Sequence, residues 1–595
     1  MNNSEKNVIH IKDILNSLNV VPKTVKLITR LEGKLFYAII LLSIVLGIIP
    51  VISVVISQKL INMLIVRNSS AGHVMGVLVT YILINLFTLI LSVLLEYCEA
   101  RIQYKFQYKL NYEVMQRCAN LKYADFENAE VYDKIEKINN EIGIKPYTIM
   151  ISIITFVTAS ITMVSSIGYL LSWNAIAAVV LLLIPAFSLL YFLRIGEKEF
   201  QMHWKRAMDE RKTWYLNYIL THDFSYKEVY LYDFKDYILN KYWNLSRKFI
   251  KQNDKILISK NLFTFLYEIV VLGVSSIIIG FAVWSAFLGK ILAGNVMGYI
   301  KSIILVQTNS QSIMTNIYTL YNSALYMNML FEFFENAPLE KKEEEDTEPI
   351  HELDIHNLNF RYPNGTQNAI TNLNLQLKEG EKLAIVGPNG SGKSTFIKII
   401  TGLYDLESGQ IKINGKEVKN LMPYKKHMAV LFQDFVKYEL TLRENVAMGK
   451  EIENGDEYIK QILDIIHADF VKEGEEYNLD KQLGVWFEGG VQLSQGQWQK
   501  IALARAYFKE ASVFILDEPN SALDPISEKE VFDSFFKLAK NKIGVYISHK
   551  LNAAKRADKI IVMEKGSIVG VGRHEELLKS CKTYQELYKA ESYQE

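Results

Sequence analysis

Five stretches of about 20 consecutive apolar residues, all in the first half of the chain, limit its fold more than any other feature. They run near 35–57 ("LFYAIILLSIVLGIIPVISVVIS"), 74–95, 148–171, 175–195 and 262–288. One such run alone reads equally well as a buried core helix. Five in succession read as membrane spans, because a helix satisfies its own backbone hydrogen bonds in hydrocarbon. A sixth, near 292–320, is weaker and carries Lys301, Gln307 and several Asn and Ser. Polar residues are tolerated in a span that faces a watery cavity, so the expectation is six spans.

Loop charge sets the expected orientation. Residues 1–34 hold six Lys/Arg, 99–147 hold eight and 197–261 hold thirteen, whereas the connections at 58–73, 172–174 and 289–291 hold three together. The long loops and both termini are therefore expected in the cytoplasm, as helical extensions carrying two coupling segments, "YADFENAEVYD" (123–133) and "THDFSYKEVYLYDF" (221–234). Each mixes aromatics with charges, as a short helix docked on another domain does. Packing within the membrane half is the plainer reading. The first apolar run starts too far in and is too long for a cleaved signal peptide. Three cysteines, Cys98, Cys118 and Cys581, give neither a disulfide framework nor a metal-ligand spacing. A formal net charge of +1 gives no global field directed at nucleic acid.

Composition changes at "ENAPLEKKEEEDTEPI" (335–350). The expected organisation is a cytoplasmic N-terminal segment (1–34), a membrane domain (35–334), a charged linker (335–349) and a C-terminal domain (350–595). In that last part short β-like runs, "KLAIVG", "MAVLFQ", "VFILDE" and "GVYISH", alternate with helical segments. That is an α/β pattern on a largely parallel sheet.

"GPNGSGKST" comprises Gly387, Pro388, Asn389, Gly390, Ser391, Gly392, Lys393, Ser394 and Thr395, and lies between a predicted strand and a predicted helix. This is the context a P-loop requires. Its glycines let backbone N–H groups turn inward to cradle phosphate oxygens. Lys393 is expected to reach the β- and γ-phosphates, and Ser394 can hold Mg²⁺. "VFILDEP" (513–519) is an apolar strand ending in two carboxylates. Asp517 is expected to hold Mg²⁺, and Glu518 to orient and polarise the attacking water. The stretch "LSQGQWQKIALARA" (493–506) opens a helix with Ser494, Gly496 and Gln497 at its first turn, which serves equally as a cap or as an anion site.

In this order the motifs resemble the nucleotide-binding domain of an ABC transporter. The resemblance implies that Tyr362 in "FRYP" stacks on adenine and that Gln433 in "LFQD" is the Q-loop glutamine, close to the metal and the water. It implies that "LSQGQ" is the signature, that Asp524 in "SALD" belongs to the D-loop and that His549 in "ISH" is the switch histidine. It further implies that Ser494, Gly496 and Gln497 meet the γ-phosphate of an ATP held by another subunit, so that two copies enclose two ATPs. Gln495 departs from the usual glycine. Were φ > 0 required there, a side chain would be strained. The fold class implied is a six-span α-helical exporter domain joined to an α/β P-loop NTPase domain, a half-size exporter in the lipid bilayer.

The whole chain is similar to transporters that secrete nisin- and subtilin-type lantibiotic precursors, through "TWYLNYILTHDFSYKE", "LFQDFVKYELTLRENV", "QLGVWFEGG" and "GQWQKIALARA". That resemblance implies export of a modified precursor peptide across a bacterial cytoplasmic membrane, with lanthionine-forming enzymes as membrane-associated partners. It also implies no peptidase domain, and no Cys precedes Cys98. Two other readings share the engine: a general drug or lipid exporter, and an ATPase giving immunity to, or sensing, an antimicrobial peptide without secretion. Glu268 and Lys301 lie in the predicted spans and are candidates for function on that ground alone.

Overall fold

The computed structural model describes residues 19–66, 69–337, 339, 347–363, 365–519, 525–548 and 550–592. Most of the charged linker therefore lies outside the described residues, as do Asp524 and His549. The chain divides into two compact units, one of Met1–Leu121 with Asn128–Glu340, the other of Lys122–Glu127 with Lys341–Glu595.

The first unit is helical. Each apolar run falls on a long helix: Val20–Val66, Ala71–Cys118, Lys145–Leu171, Ala175–Lys205, Lys235–Phe287 and Ala293–Asn336. Among the described residues four helices, those starting at Val20, Ala71, Lys145 and Lys235, are long and apolar enough to cross a membrane. At 53 residues the Lys235–Phe287 helix is about 80 Å long, far more than the roughly 20 residues a bilayer needs, and its N-terminal half is the polar part.

Two polar constructions tie these helices together. Buried Glu113 accepts from Arg30 (2.5 Å) and from Arg117 (2.9 Å). Arg117 also donates to the carbonyls of Phe334 (2.6 Å) and Ala337 (2.7 Å) and lies 4.0 Å over the Phe334 ring. A buried guanidinium thus satisfies carbonyls that the last turn of a helix leaves without partners. At the other end of the predicted spans, the Asn295 carboxamide oxygen accepts from Gln58 and Asn62, both at 2.7 Å, and Gln58 accepts from Tyr169. Gly294 and Gly298 make this approach possible, since a Cβ would come within 2.3 Å of Asn62 and 2.4 Å of the Tyr169 hydroxyl respectively. Small residues spaced by four are how membrane helices approach closely. The two charges in the predicted spans both have partners: Glu268 accepts from Gln311 (2.9 Å) and Lys301 donates to Ser57 (3.3 Å).

The second unit contains strands β1 (Glu352–Phe360), β2 (Ile370–Lys378), β3 (Lys382–Val386), β4 (Ser408–Ile413), β5 (Lys416–Glu417), β6 (Met428–Leu431), β7 (Lys472–Glu473), β8 (Glu476–Tyr477), β9 (Val513–Asp517), β10 (Ile543–Ile547), β11 (Lys559–Glu564) and β12 (Ser567–Gly572). The main sheet has the order β12-β11-β3-β10-β9-β6, parallel except at the β11–β12 edge. Every residue of β3, β9 and β10 is buried, which is why these strands read as unbroken apolar runs. A second sheet, β2-β1-β4-β5, is antiparallel. Its strands alternate, with Leu353, Ile355, Leu373, Leu375 and Leu377 inward and polar residues outward, and that period of two marks a half-covered sheet. The second unit thus contains an antiparallel sheet that the parallel-sheet reading of the sequence did not anticipate.

Candidate active site

At the C-terminal end of β3 the chain turns at Gly387–Gly392 and enters the helix Lys393–Ile400. Gly392 caps that helix at φ 100°, a conformation that L side chains rarely adopt. At Gly387 a Cβ would stand 2.2 Å from the Met563 carbonyl, so only glycine fits beside β11. Lys393 is buried, and its ammonium donates to the carbonyls of Gly387 (2.9 Å) and Pro388 (3.2 Å), which folds it back over the loop. Burial lowers its pKa, partly offset by the charges of Glu518 and Asp517. A desolvated cation at a helix N-terminus attracts an anion strongly.

The loop and its surroundings enclose a cleft of about 380 Å³ lined by Asn389–Thr395, Gln433 and Glu518. Gln433, two residues past β6, donates to the Glu518 carboxylate at 2.6 Å. Glu518 follows directly on β9 with φ 50°, a left-handed conformation uncommon for a non-glycine residue and characteristic of functional turns. Behind it, Asp517 is buried and accepts from the Ser394 hydroxyl at 3.4 Å. Burial pushes the Asp517 carboxyl up to about 6; the Ser394 hydrogen bond opposes the rise and the Glu518 charge adds to it. Among the described residues no three His, Cys, Asp or Glu side chains gather as a metal cage. A buried carboxylate beside a hydroxyl nonetheless fits Mg²⁺, which takes one or two protein oxygens and completes its shell with water and phosphate.

Tyr362 joins this group through its hydroxyl, 2.9 Å from the Thr395 hydroxyl. The structure therefore gathers the phosphate loop, Tyr362, Gln433, Asp517 and Glu518. Ser494, Gly496 and Gln497 do not line the cleft. They form the first turn of the helix Gln495–Phe508, where Ser494 accepts from the Gln497 backbone N–H (3.3 Å) and the Gln497 side chain accepts from the Ser494 N–H (2.8 Å). Gln495 is the first helical residue and has no positive φ, so the missing glycine carries no backbone strain.

One positioning residue escaped the sequence reading. Gln499, on the same helix, is buried and donates to the Pro519 carbonyl at 2.5 Å, connecting the signature helix to the turn after Glu518. An amide in "GQWQK" carries no local sign of that contact.

Residues 370–521 match the family model described as ABC transporter. The chain is 51% identical to the subtilin transport ATP-binding protein SpaT of Bacillus subtilis, over 99% of this chain and 97% of that one. It belongs to the ABC transporter family. The transporter is also 41% identical to the nisin transport ATP-binding protein NisT of Lactococcus lactis subsp. lactis, over 98% of each chain. An ATP-dependent lipid A-core flippase of Desulfotalea psychrophila is 38% identical over only 40% of this chain and 41% of the flippase. A bacterial Atm1-family ABC exporter with ATP bound has the same fold, with a TM-score of 0.78 at 19% identity over 93% of this chain and 98% of that one. The transporter binds ATP and couples its hydrolysis to transport across a membrane that it crosses more than once.

Proposed function

We propose that this transporter exports a ribosomally made, thioether-modified precursor peptide across the cytoplasmic membrane, as a homodimer with both termini in the cytoplasm. The observation that carries this reading is the extent of likeness. Identity to the proteins named for subtilin and nisin transport runs through the membrane half, where cargo is handled, whereas likeness to the flippase named above covers about two fifths of the chain. Lanthionine-forming enzymes acting on the same peptide are the expected membrane partners.

Within each protomer the phosphate loop holds the ATP tail by its backbone N–H groups and by Lys393, and Tyr362 carries the adenine. Ser394 and Asp517 would hold Mg²⁺, with Gln433 beside it; the ion would supply positive charge to the phosphate oxygens. Glu518, held by Gln433, takes the proton of the attacking water as general base. Asp524 and His549, by their place in the motif order, complete the site. Ser494, Gly496 and Gln497 of a second copy close over the γ-phosphate. Two features support a second copy. The signature turn stands outside the cleft of its own chain. The helix Asp223–Leu231, in the second inner loop, leaves Phe224, Tyr230, Leu231 and the adjoining Tyr232 at 62, 76, 76 and 74% exposure, an apolar surface that a further domain would cover. ATP then drives the membrane domain by binding the closed dimer more tightly than the open one.

The test is deletion of the gene in the producing strain. The modified peptide is expected to disappear from the medium and accumulate in cells, with restoration by the parent gene and none by Glu518→Gln. Normal secretion with loss of producer survival would replace export by immunity.

A further inference from the structure

The segment Lys122–Glu127 belongs to the ATPase unit although it is flanked on both sides by the membrane domain. Its short helix Tyr123–Phe126 packs beside the phosphate-loop helix, with Tyr404 and Lys398 both in contact with the Tyr123 ring. Tyr404 is buried, and its ring meets three others. Phe360 lies at 5.1 Å, Tyr362 at 5.4 Å with planes 88° apart, and Tyr123 at 5.5 Å, again at 88°. The two tyrosine pairs are edge-to-face, the favourable arrangement for aromatic quadrupoles, and the Phe360 ring is tilted at 51°. The Tyr404 hydroxyl donates to the Glu127 carboxylate at 2.5 Å. An ion pair and a cation–ring contact flank this seam: Lys122 donates to Asp405 (2.6 Å), and the Lys398 ammonium lies 5.3 Å from the centre of the Tyr123 ring.

We propose that Tyr404 is a positioning residue that ties the adenine seat to the docked helix, so that nucleotide occupancy fixes the position of Lys122–Glu127. The inference rests on Tyr362 carrying adenine, as argued above. Tyr362 is bonded to Thr395 of the phosphate loop on one side and packed against Tyr404 on the other. In a close-packed cluster a ring that shifts to accept adenine displaces its neighbour rather than compressing it. Tyr404 is in contact with both Tyr362 and Tyr123, and its hydroxyl holds the C-terminal end of the docked helix. It touches neither phosphate nor water in this scheme; it acts through Tyr362 and Glu127.

The test is amide hydrogen exchange over residues 122–127 in the full-length protein in lipid nanodiscs, with and without ATP, in a Glu518→Gln background that prevents turnover. ATP is expected to slow exchange there by roughly tenfold, a detectable change in opening equilibrium. Tyr404→Leu should bind ATP within threefold of the parent yet show less than a twofold slowing; Tyr404→Phe, which keeps the ring and loses the Glu127 bond, should fall between. If Tyr404→Leu does not fold, Glu127→Ala at the exposed helix end reads the same link and should cut the slowing at least threefold. Full slowing in a folded Tyr404→Leu protein that binds ATP, or in Glu127→Ala, would overturn the proposal. Tyr362→Leu separates the two claims. Unchanged ATP affinity in that variant removes the adenine role of Tyr362, and the proposed link loses its origin.

Discussion

Glu518→Gln is expected to bind ATP as well as the parent and to hydrolyse it at least about a hundredfold more slowly, the range over which a positioned general base contributes. The substitution changes charge and basicity while keeping shape. Gln433 lies 2.6 Å from the Glu518 carboxylate and can bond a carboxamide oxygen as well. Backbone strain at φ 50° is borne equally by glutamine, so the turn after β9 should persist. The phosphate loop and Lys393 are untouched, so affinity for ATP is retained. Equilibrium binding and single-turnover hydrolysis on the same purified protein give both numbers. Hydrolysis within fivefold of the parent would remove Glu518 from the role assigned to it.

Gly496→Asp is expected to have a similar effect on turnover by a different route. Gly496 lies in the first turn of the Gln495–Phe508 helix, where backbone N–H groups and the helix dipole favour an anion. A carboxylate there opposes a phosphate of the same sign. The capping pair of Ser494 and Gln497 does not involve the Gly496 side position, so the helix should form normally. Because the signature turn stands outside its own chain's cleft, ATP binding to isolated protomers should stay within about threefold of the parent, while hydrolysis falls about a hundredfold or more, the loss typical when charge stabilisation of a transition state is removed. ATP affinity reduced in parallel with turnover would mean that the signature serves the cleft of its own chain.

How much of this was legible in sequence follows from the range of the interactions concerned. The phosphate loop is a local device: nine consecutive residues set their own turn, and the strand and helix beside them can be read directly. The long helices are legible because a bilayer demands one composition over about 20 residues, and four of them meet that demand among the described residues. Asp517 and Glu518 were legible as the end of a buried strand, although the pairing of Glu518 with Gln433, 85 residues away, was not. Gln495 is the first residue of a helix capped by Ser494, a backbone that any side chain adopts, so glycine is not required there. The antiparallel sheet was passed over because its strands are interrupted by Asn357 and Asn372, both at positive φ, which blur the alternation. Tyr404 is one of 34 tyrosines, and nothing within ten residues of it marks the contacts it makes with Tyr362 and Tyr123. Burial and long-range packing, not residue type, give it its place.

The central claim is that each catalytic pocket is completed by a second copy of the chain. Co-expression of Lys393→Met with Gly496→Asp tests it most directly. Each variant alone makes a dimer with no complete site, whereas a mixed dimer has one pocket in which an intact phosphate loop faces an intact signature. Isolation of mixed dimers through two different affinity tags, followed by ATPase measurement, is predicted to recover activity at least tenfold above either parent variant. Mixed dimers no more active than the two inactive variants would contradict a shared pocket.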